Sequence, residues 1–142
     1  MREQFQYRTI IQSIASIRSD LEAFAKIQGI PTPELKQITM IVEELFSNII
    51  RFSFVDDQHL LDIFISKTDT EIIIEMSDNG TPFNPLEYNS GHAPDPVSAD
   101  DGSMGLSLIR AFSDSVHYIR EEQRNTLTIH KIIRSIPEKE QT

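Results

Sequence analysis

The chain contains two pairs of strand-like segments, and a short polar turn joins the members of each pair. The first pair is HLLDIFIS at 59–66 and EIIIEMS at 71–77; the second lies at 115–120 and 126–133, with its turn over 121–125. Turns this short join antiparallel neighbours, whereas parallel strands need a long crossover connection. Because no strand–helix–strand alternation is present, we predict an α+β fold. We expect a two-layer sandwich with helices on one face of the sheet. The sheet is expected to be antiparallel, or mixed with mostly antiparallel pairs.

Three further segments have the apolar spacing of helices. The first covers 16–28 and ends at Gly29; its inward residues are predicted to be Ile17, Leu21, Phe24 and Ala25. The second has Thr32 as its N-cap and runs to about Phe52, with the apolar stripe Leu35, Ile38, Val42, Leu45 and Ile49. The third covers 102–112, and its inward residues are predicted to be Leu106, Ile109 and either Ala111 or Phe112.

Length and composition are those of one ordinary globular domain. The chain has 142 residues, and the domain is expected over 1–136, with a short edge strand at 5–11 and a polar tail at 137–142. A net charge of −9 opposes attraction to nucleic acid and anionic lipid, so neither is expected as a direct partner. Cysteine is absent, and no apolar run reaches signal-peptide or membrane-spanning length, so a cytoplasmic location is expected.

The side of the second helix opposite its apolar stripe carries an acid and an amide one turn apart, Glu44 and Asn48. At 100° per residue, Glu44 lies only about 40° from Asn48 around the helix, whereas Glu43 lies about 140° away. An amide oxygen can ligate magnesium, and a carboxylate can act as a general base. A solvated helix face is the commoner fate of this spacing, so the pair alone does not define a site.

A second polar motif follows the strand EIIIEMS, which delivers Asp78 at its carboxyl end, two residues before Gly80. A carboxylate there can accept a hydrogen bond from the exocyclic amine of adenine, and a glycine lets the backbone approach the ring. The alternative is a plain turn, because Asp-Asn-Gly is a strong turn signal. Residues 84–101 contain three prolines, a glycine and little periodicity, and we interpret them as a lid over a ligand.

A third motif, Gly102 and Gly105, opens the last helix. It is either a flexible helix start or a place where free backbone amides bind phosphate oxygens. The order of the three motifs predicts an ATP site. Because the chain is acidic, the nucleotide must be held by magnesium, backbone amides and local charge rather than by the global field.

These segments resemble the gyrase, histidine-kinase and MutL ATPase superfamily. IVEELFSNIIRF is similar to its N box, MSDNGTPFNP to its first glycine box and DGSMGLSLIRAFSD to its second, which implies the Bergerat type of sandwich with an ATP lid. The closing NTLTIHK is similar to one branch, the bacterial anti-sigma-factor serine/threonine kinases. The resemblance implies roles in nucleotide binding and catalysis for seven residues: Glu44 as base, Asn48 as magnesium ligand, Asp78 as adenine reader, Gly80 beside the ring, Gly102 and Gly105 beside the triphosphate, and Thr126 in the adenine pocket.

The branch also implies a function. Its members are ATP-binding partner-switching regulators that phosphorylate a serine or threonine of an anti-sigma-factor antagonist and otherwise sequester a sigma factor, often as homodimers. We therefore expect an ATP- and magnesium-dependent protein serine/threonine kinase whose partners are a sigma factor or equivalent regulator and an antagonist protein.

Two positions depart from the family pattern. Phe52 and Ser53 stand where the family often has histidine followed by alanine or glycine, and Ser103 stands where a second glycine is common. Because Glu44 and Asn48 are retained, the resemblance supports ATP binding more strongly than kinase turnover. The alternative function is a catalytically weak nucleotide-binding module that acts by stoichiometric capture of a partner.

Overall fold

The computed structural model describes residues 2–9, 12–52, 60–86 and 103–135 of the chain. Within these residues lie three helices and five strands, in the order β1 (Arg2–Arg8), α1 (Ser13–Gln28), α2 (Thr32–Phe52), β2 (Leu60–Lys67), β3 (Glu71–Asp78), α3 (Ser103–Phe112), β4 (Ser115–Glu121) and β5 (Arg124–Ile132). None of the described helices is both long enough and apolar enough to cross a membrane.

The five strands form one sheet in the order β1-β2-β3-β5-β4, and every neighbouring pair is antiparallel. The prediction of an α+β fold is confirmed. The sequence allowed either an antiparallel or a mixed sheet, and the described strands form an antiparallel one. Both predicted hairpins form. β1 is an edge strand as predicted, but it begins at Arg2 instead of residue 5. Its first residues are polar and carry no apolar signal; Arg2 lies 4.2 Å from the centre of the Phe64 ring on β2.

The turn of the second hairpin is tighter than predicted. Only Glu122 and Gln123 separate β4 from β5, and their φ angles are 50° and 65°. Two-residue hairpin turns with positive φ at both positions usually contain asparagine or glycine. Since neither residue type is present here, the sequence pattern predicted a longer turn of five residues.

The helices cover one face of the sheet and bury a single core. All four inward positions predicted for α1 are buried, and Gly29 ends this helix with φ 73°. On α2 the buried set is wider than the predicted stripe, because this helix contacts both α1 and α3. The core residues of α2 are Ile38, Ile41, Val42, Leu45, Phe46 and Ile49, with Leu35 only partly buried. On α3, Ile109 is buried and Phe112 packs against the core, whereas Ala111 is exposed.

A buried acid connects the beginning of α2 to the chain after β5. Glu34 is 3% exposed, and its Oε2 accepts hydrogen bonds from the backbone N–H groups of Arg134 at 2.9 Å and Ser135 at 3.1 Å. Burial alone would raise the pKa of Glu34, but these hydrogen bonds outweigh it and the pKa is lowered. The carboxylate therefore fixes the position of two segments that are a hundred residues apart in sequence.

Replacing Asp114 with asparagine is expected to destabilise the fold by about 1 kcal/mol at neutral pH. Hydrogen bonds from Arg134, the largest cause, lower the pKa of Asp114 to about 2, against about 3.9 in an unfolded chain. A lowered folded-state pKa stabilises the fold above about pH 4, and this contribution disappears as the pH falls towards 2. Urea unfolding at pH 7 and pH 2.5 should therefore show a difference between the two proteins that shrinks at the lower pH. A constant difference would contradict this assignment.

Candidate functional site

Asp78 ends the central strand β3 on the side of the sheet that faces the helices. It follows Ile72, Ile74 and Met76 in the alternation of buried residues and is itself 2% exposed. Its Oδ1 accepts hydrogen bonds from the backbone N–H of Gly80, at 2.8 Å, and from Nδ2 of Asn125, at 3.2 Å. The first bond makes Asp78–Gly80 an Asx turn, so this motif does form the turn that its sequence indicated. The same turn holds a buried carboxylate at the end of the strand.

Asn125 is a central residue of the candidate site, and no local sequence motif marks it. It lies directly opposite Asp78 in the β3–β5 register and is 5% exposed. Its Nδ2 also donates to the carbonyl of Thr81 at 2.8 Å, while its Oδ1 accepts from the N–H of Phe83 and the hydroxyl of Tyr118. The only signal that could have found it is strand register, which depends on a pairing between segments 47 residues apart.

Thr126, which the resemblance assigned to the adenine pocket, lies on the other face of the sheet. Its Oγ1 is 3.2 Å from Oγ of Ser77, its register partner on β3. The Ser77 hydroxyl also accepts from Arg124, whose guanidinium bonds Asp62 on β2. Because side chains alternate across a strand, the residue that meets Asp78 is Asn125 and not its neighbour Thr126.

The space beside Asp78 is small in this conformation. A cavity of about 10 Å³ is lined by Ile49, Met76, Asp78, Phe83, Pro85, Tyr118, Asn125 and Leu127. A single water needs roughly that much room, so a nucleobase does not fit here as the chain stands. Phe83 contributes to the closure, since its ring packs on that of Phe52 with the two centres 5.4 Å apart. Entry of a base would require the side chains of Phe83 and Pro85, which line this cavity, to turn outward.

Asn48 is not on a solvated helix face, which was the alternative interpretation of its spacing from Glu44. It is 4% exposed, and its Oδ1 has no hydrogen-bond partner among the described residues. A buried amide oxygen without a partner is costly unless a ligand completes it. An oxygen donor in this position fits a hard cation such as magnesium. The residue next to it, Ile49, lines the cavity beside Asp78.

Glu44 lies one turn before Asn48 and borders an open cavity of about 380 Å³ formed by all three helices. The cavity is also lined by Ile14 and Arg18 of α1, Met40, Glu43 and Ser47 of α2, and Leu108 of α3. Glu43 forms an ion pair with Arg18 across this cavity. Of the two neighbouring acids, Glu43 therefore has a cationic partner of its own.

Of the two glycines predicted to lie beside the phosphates, Gly105 is among the described residues and Gly102 is not. Gly105 lies in the first turn of α3, three residues before Leu108, which borders the cavity at Glu44. Gly102 and most of the predicted lid at 84–101 lie outside the described residues. The start of the lid segment is described up to Leu86, whose carbonyl accepts from Arg110 of α3 at 3.4 Å.

The fold defines a class of protein. An antiparallel sheet backed by helices on one face is the arrangement of a histidine-kinase-like ATPase domain. A model of this family, the histidine kinase-like ATPase domain, matches residues 10–131, and the chain belongs to that family. No curated protein matches the chain significantly.

Solved structures with the same fold come from several kinds of protein. The RsbU and RsbW domains of Rv1364c from Mycobacterium tuberculosis align with 95% of this chain at 12% identity and a TM-score of 0.65. This alignment covers only 33% of the chain in that structure. A chain of the SiaB–SiaC complex from Pseudomonas aeruginosa is 11% identical, with a TM-score of 0.58. The alignment covers 92% of this chain and 89% of the matched chain. The catalytic domain of the histidine kinase ThkA is 12% identical, with a TM-score of 0.53. The alignment covers 92% of this chain and 97% of the ThkA domain. At these identities the likeness shows the fold alone.

Proposed function

We propose that this chain is an ATP- and magnesium-dependent protein serine/threonine kinase that also binds a sigma factor or equivalent regulator. Asp78 would accept a hydrogen bond from the adenine amine, and the backbone at Gly80 would border the ring. Asn48 would hold magnesium through Oδ1, and the amides around Gly102 and Gly105 would contact the triphosphate. Bound magnesium neutralises negative charge on the phosphate oxygens during phosphoryl transfer.

In this proposal Glu44 is the general base. Its carboxylate accepts the proton of a serine or threonine hydroxyl, whose oxygen forms a bond to the γ-phosphorus as the bond from that phosphorus to the bridging oxygen breaks, releasing ADP. The acceptor side chain would approach through the cavity of about 380 Å³, because this is the open space that Glu44 borders.

The observation that carries the proposal is the unpartnered, buried Oδ1 of Asn48, one helical turn from Glu44. A structural amide at this depth would be hydrogen-bonded, as that of Asn125 is, whereas a metal ligand would keep its oxygen available. The family match supports the same reading, since this is a family of ATPase domains.

Replacing Asn48 with alanine is expected to remove the dependence of ATP affinity on magnesium. In the wild-type protein, calorimetric titration with ATP should give at least tenfold tighter binding in excess magnesium than in EDTA. The variant should bind with the weaker affinity in both buffers, because its metal ligand is missing. Gln37→Ala, which removes another amide from α2, serves as the control and should keep the wild-type difference. Equal affinities with and without magnesium in the wild-type protein would refute the metal assignment.

The proposed protein partners are an antagonist that carries the acceptor hydroxyl and a sigma factor or similar regulator that is sequestered. Their support is the resemblance of the closing strand NTLTIHK and the fold shared with the RsbW domain of Rv1364c and with SiaB, whose structure is that of a complex with SiaC. A homodimer and a cytoplasmic location belong to the same proposal.

One observation favours the alternative of a catalytically weak module that captures a partner. The Phe52 ring, at a position where the family often has histidine, packs on Phe83 at the closed pocket. An apolar contact at this position holds the closed conformation. The two candidate functions differ in turnover: the kinase consumes ATP at a rate that depends on Glu44, whereas the capture module binds nucleotide without consuming it.

A further inference from the structure

We propose that Asn125 is the positioning residue of the base site and that it sets the selection of adenine over guanine by fixing the orientation of Asp78. The inference rests on the proposed function, because it takes Asp78 to be the group that contacts the base. Asn125 would act through Asp78 without touching the nucleotide itself.

The hydrogen-bonding capacity of the Asn125 side chain is fully used. Its Nδ2 donates to Oδ1 of Asp78 and to the carbonyl of Thr81, and its Oδ1 accepts from the N–H of Phe83 and the hydroxyl of Tyr118. The carbonyl of Thr81 can only accept and the N–H of Phe83 can only donate. These two partners therefore leave a single orientation for the amide.

The fixed amide in turn fixes the carboxylate of Asp78. Oδ1 receives one hydrogen bond from Gly80 within its own turn and one from Asn125 on the neighbouring strand. Rotation of the carboxylate would break both bonds at a site where Asp78 is 2% exposed and Asn125 is 5% exposed. Buried donors left without acceptors are costly, so the carboxylate is held in one plane.

A carboxylate in a fixed plane discriminates between bases. Its oxygens only accept hydrogen bonds, so it attracts the exocyclic amine of adenine and repels the carbonyl oxygen of guanine at the same position. If the carboxylate could rotate freely, it would also reach other donors on the base edge. Selectivity therefore depends on Asn125 as well as on Asp78.

Two ionisable groups of β4 contact this network. The Tyr118 hydroxyl donates to Oδ1 of Asn125, and Arg120 donates to the carbonyl of Gly80 at 2.8 Å. Both bonds involve atoms that an aspartate in place of Asn125 would leave unchanged. An aspartate at position 125 therefore changes the contacts with Asp78 and with the carbonyl of Thr81 while retaining the side of the network that faces β4.

Asn125→Asp provides the main test. An aspartate can keep the bonds from Phe83 and Tyr118, but it turns a carboxyl oxygen towards Asp78 in place of the amide donor. Two carboxyl groups this close share one proton, and the pair titrates well above the ordinary range of aspartate. We expect ATP affinity of the variant, measured by calorimetry in excess magnesium, to fall about tenfold at pH 8 and to recover towards pH 5.5 as the proton returns. The wild-type affinity should vary much less over this range.

A merely structural role for Asn125 would lower affinity equally at every pH, and that result would overturn the inference. Thermal unfolding at each pH confirms that both proteins are folded during the titrations. If the aspartate variant does not fold, Asn125→Ser offers a smaller change that retains a hydroxyl. Its ratio of ATP to GTP affinity should fall about tenfold, whereas a merely structural effect would weaken both nucleotides in proportion and overturn the inference. Absence of ATP binding by the wild-type protein would instead refute the proposed function and, with it, the assignment of Asp78.

Discussion

Asp78→Asn is expected to abolish ATP binding, with a loss of more than about a hundredfold in affinity. An asparagine can keep an oxygen that accepts from Gly80 and Asn125, so the local backbone should be preserved. The other oxygen becomes an amide group that donates towards the amine of adenine, and two donors then face each other in a buried site. The variant therefore removes recognition of the base while retaining the fold.

The measurement is calorimetric titration of wild-type and variant proteins with ATP in excess magnesium. Asp62→Asn is the matched control, because Asp62 lies on the neighbouring strand β2, faces the opposite side of the sheet, and pairs with Arg124 there. The control should lose some stability and bind ATP normally. Undiminished ATP affinity in Asp78→Asn, with a normal unfolding temperature, would remove Asp78 from the site.

Glu44→Gln is expected to slow phosphoryl transfer by about 10²–10⁴-fold while ATP affinity stays within a few-fold of wild type. Glutamine has nearly the same shape as glutamate but cannot accept the proton of the attacking hydroxyl. The first measurement is production of ADP from ATP, with water as the acceptor, together with a calorimetric titration of the same protein. Glu43→Gln is the matched control, since Glu43 is adjacent and already paired with Arg18.

The acceptor can be identified with the same pair of variants. Incubation with γ-labelled ATP and an extract of the source cells should label a protein through an acid-stable serine or threonine phosphate in the wild-type and Glu43→Gln reactions only. Acid-labile label on histidine would contradict the serine/threonine assignment. ATP binding without turnover in the wild-type protein and without any labelled protein would favour the capture module instead.

Local patterns in the sequence were sufficient to predict most of the fold. α1 ends at Gly29 and α2 is described to Phe52, as predicted, because helix periodicity and caps act over a few residues. Strand order could not be predicted. β5 pairs with β3 and β4 pairs with β5, and this arrangement depends on packing between segments far apart in sequence. The tight turn at Glu122 and Gln123 was also missed, because positive φ in these residues follows from the hairpin it closes.

The candidate site was predictable in part for the same reason. Glu44 and Asn48 share a helix, and Asp78 and Gly80 share a turn, so their spacing could be read from sequence. That Asn48 is buried without a partner could not be predicted, since an acid and an amide on a polar helix face ordinarily contact water. The difference between Asn125 and Thr126 is a single residue of strand register, which reverses the face that a side chain occupies.

The position of β5 in the sheet has a consequence for synthesis of the protein. β5 is the last described strand in the chain, yet it lies between β3 and β4 in the interior of the sheet. Until it emerges from the ribosome, β3 has an open edge along a segment rich in isoleucine, and the carboxylate of Asp78 lacks its cross-strand partner. An exposed edge of this kind favours aggregation. The chain is therefore most exposed to aggregation during synthesis in the interval before β5 is complete.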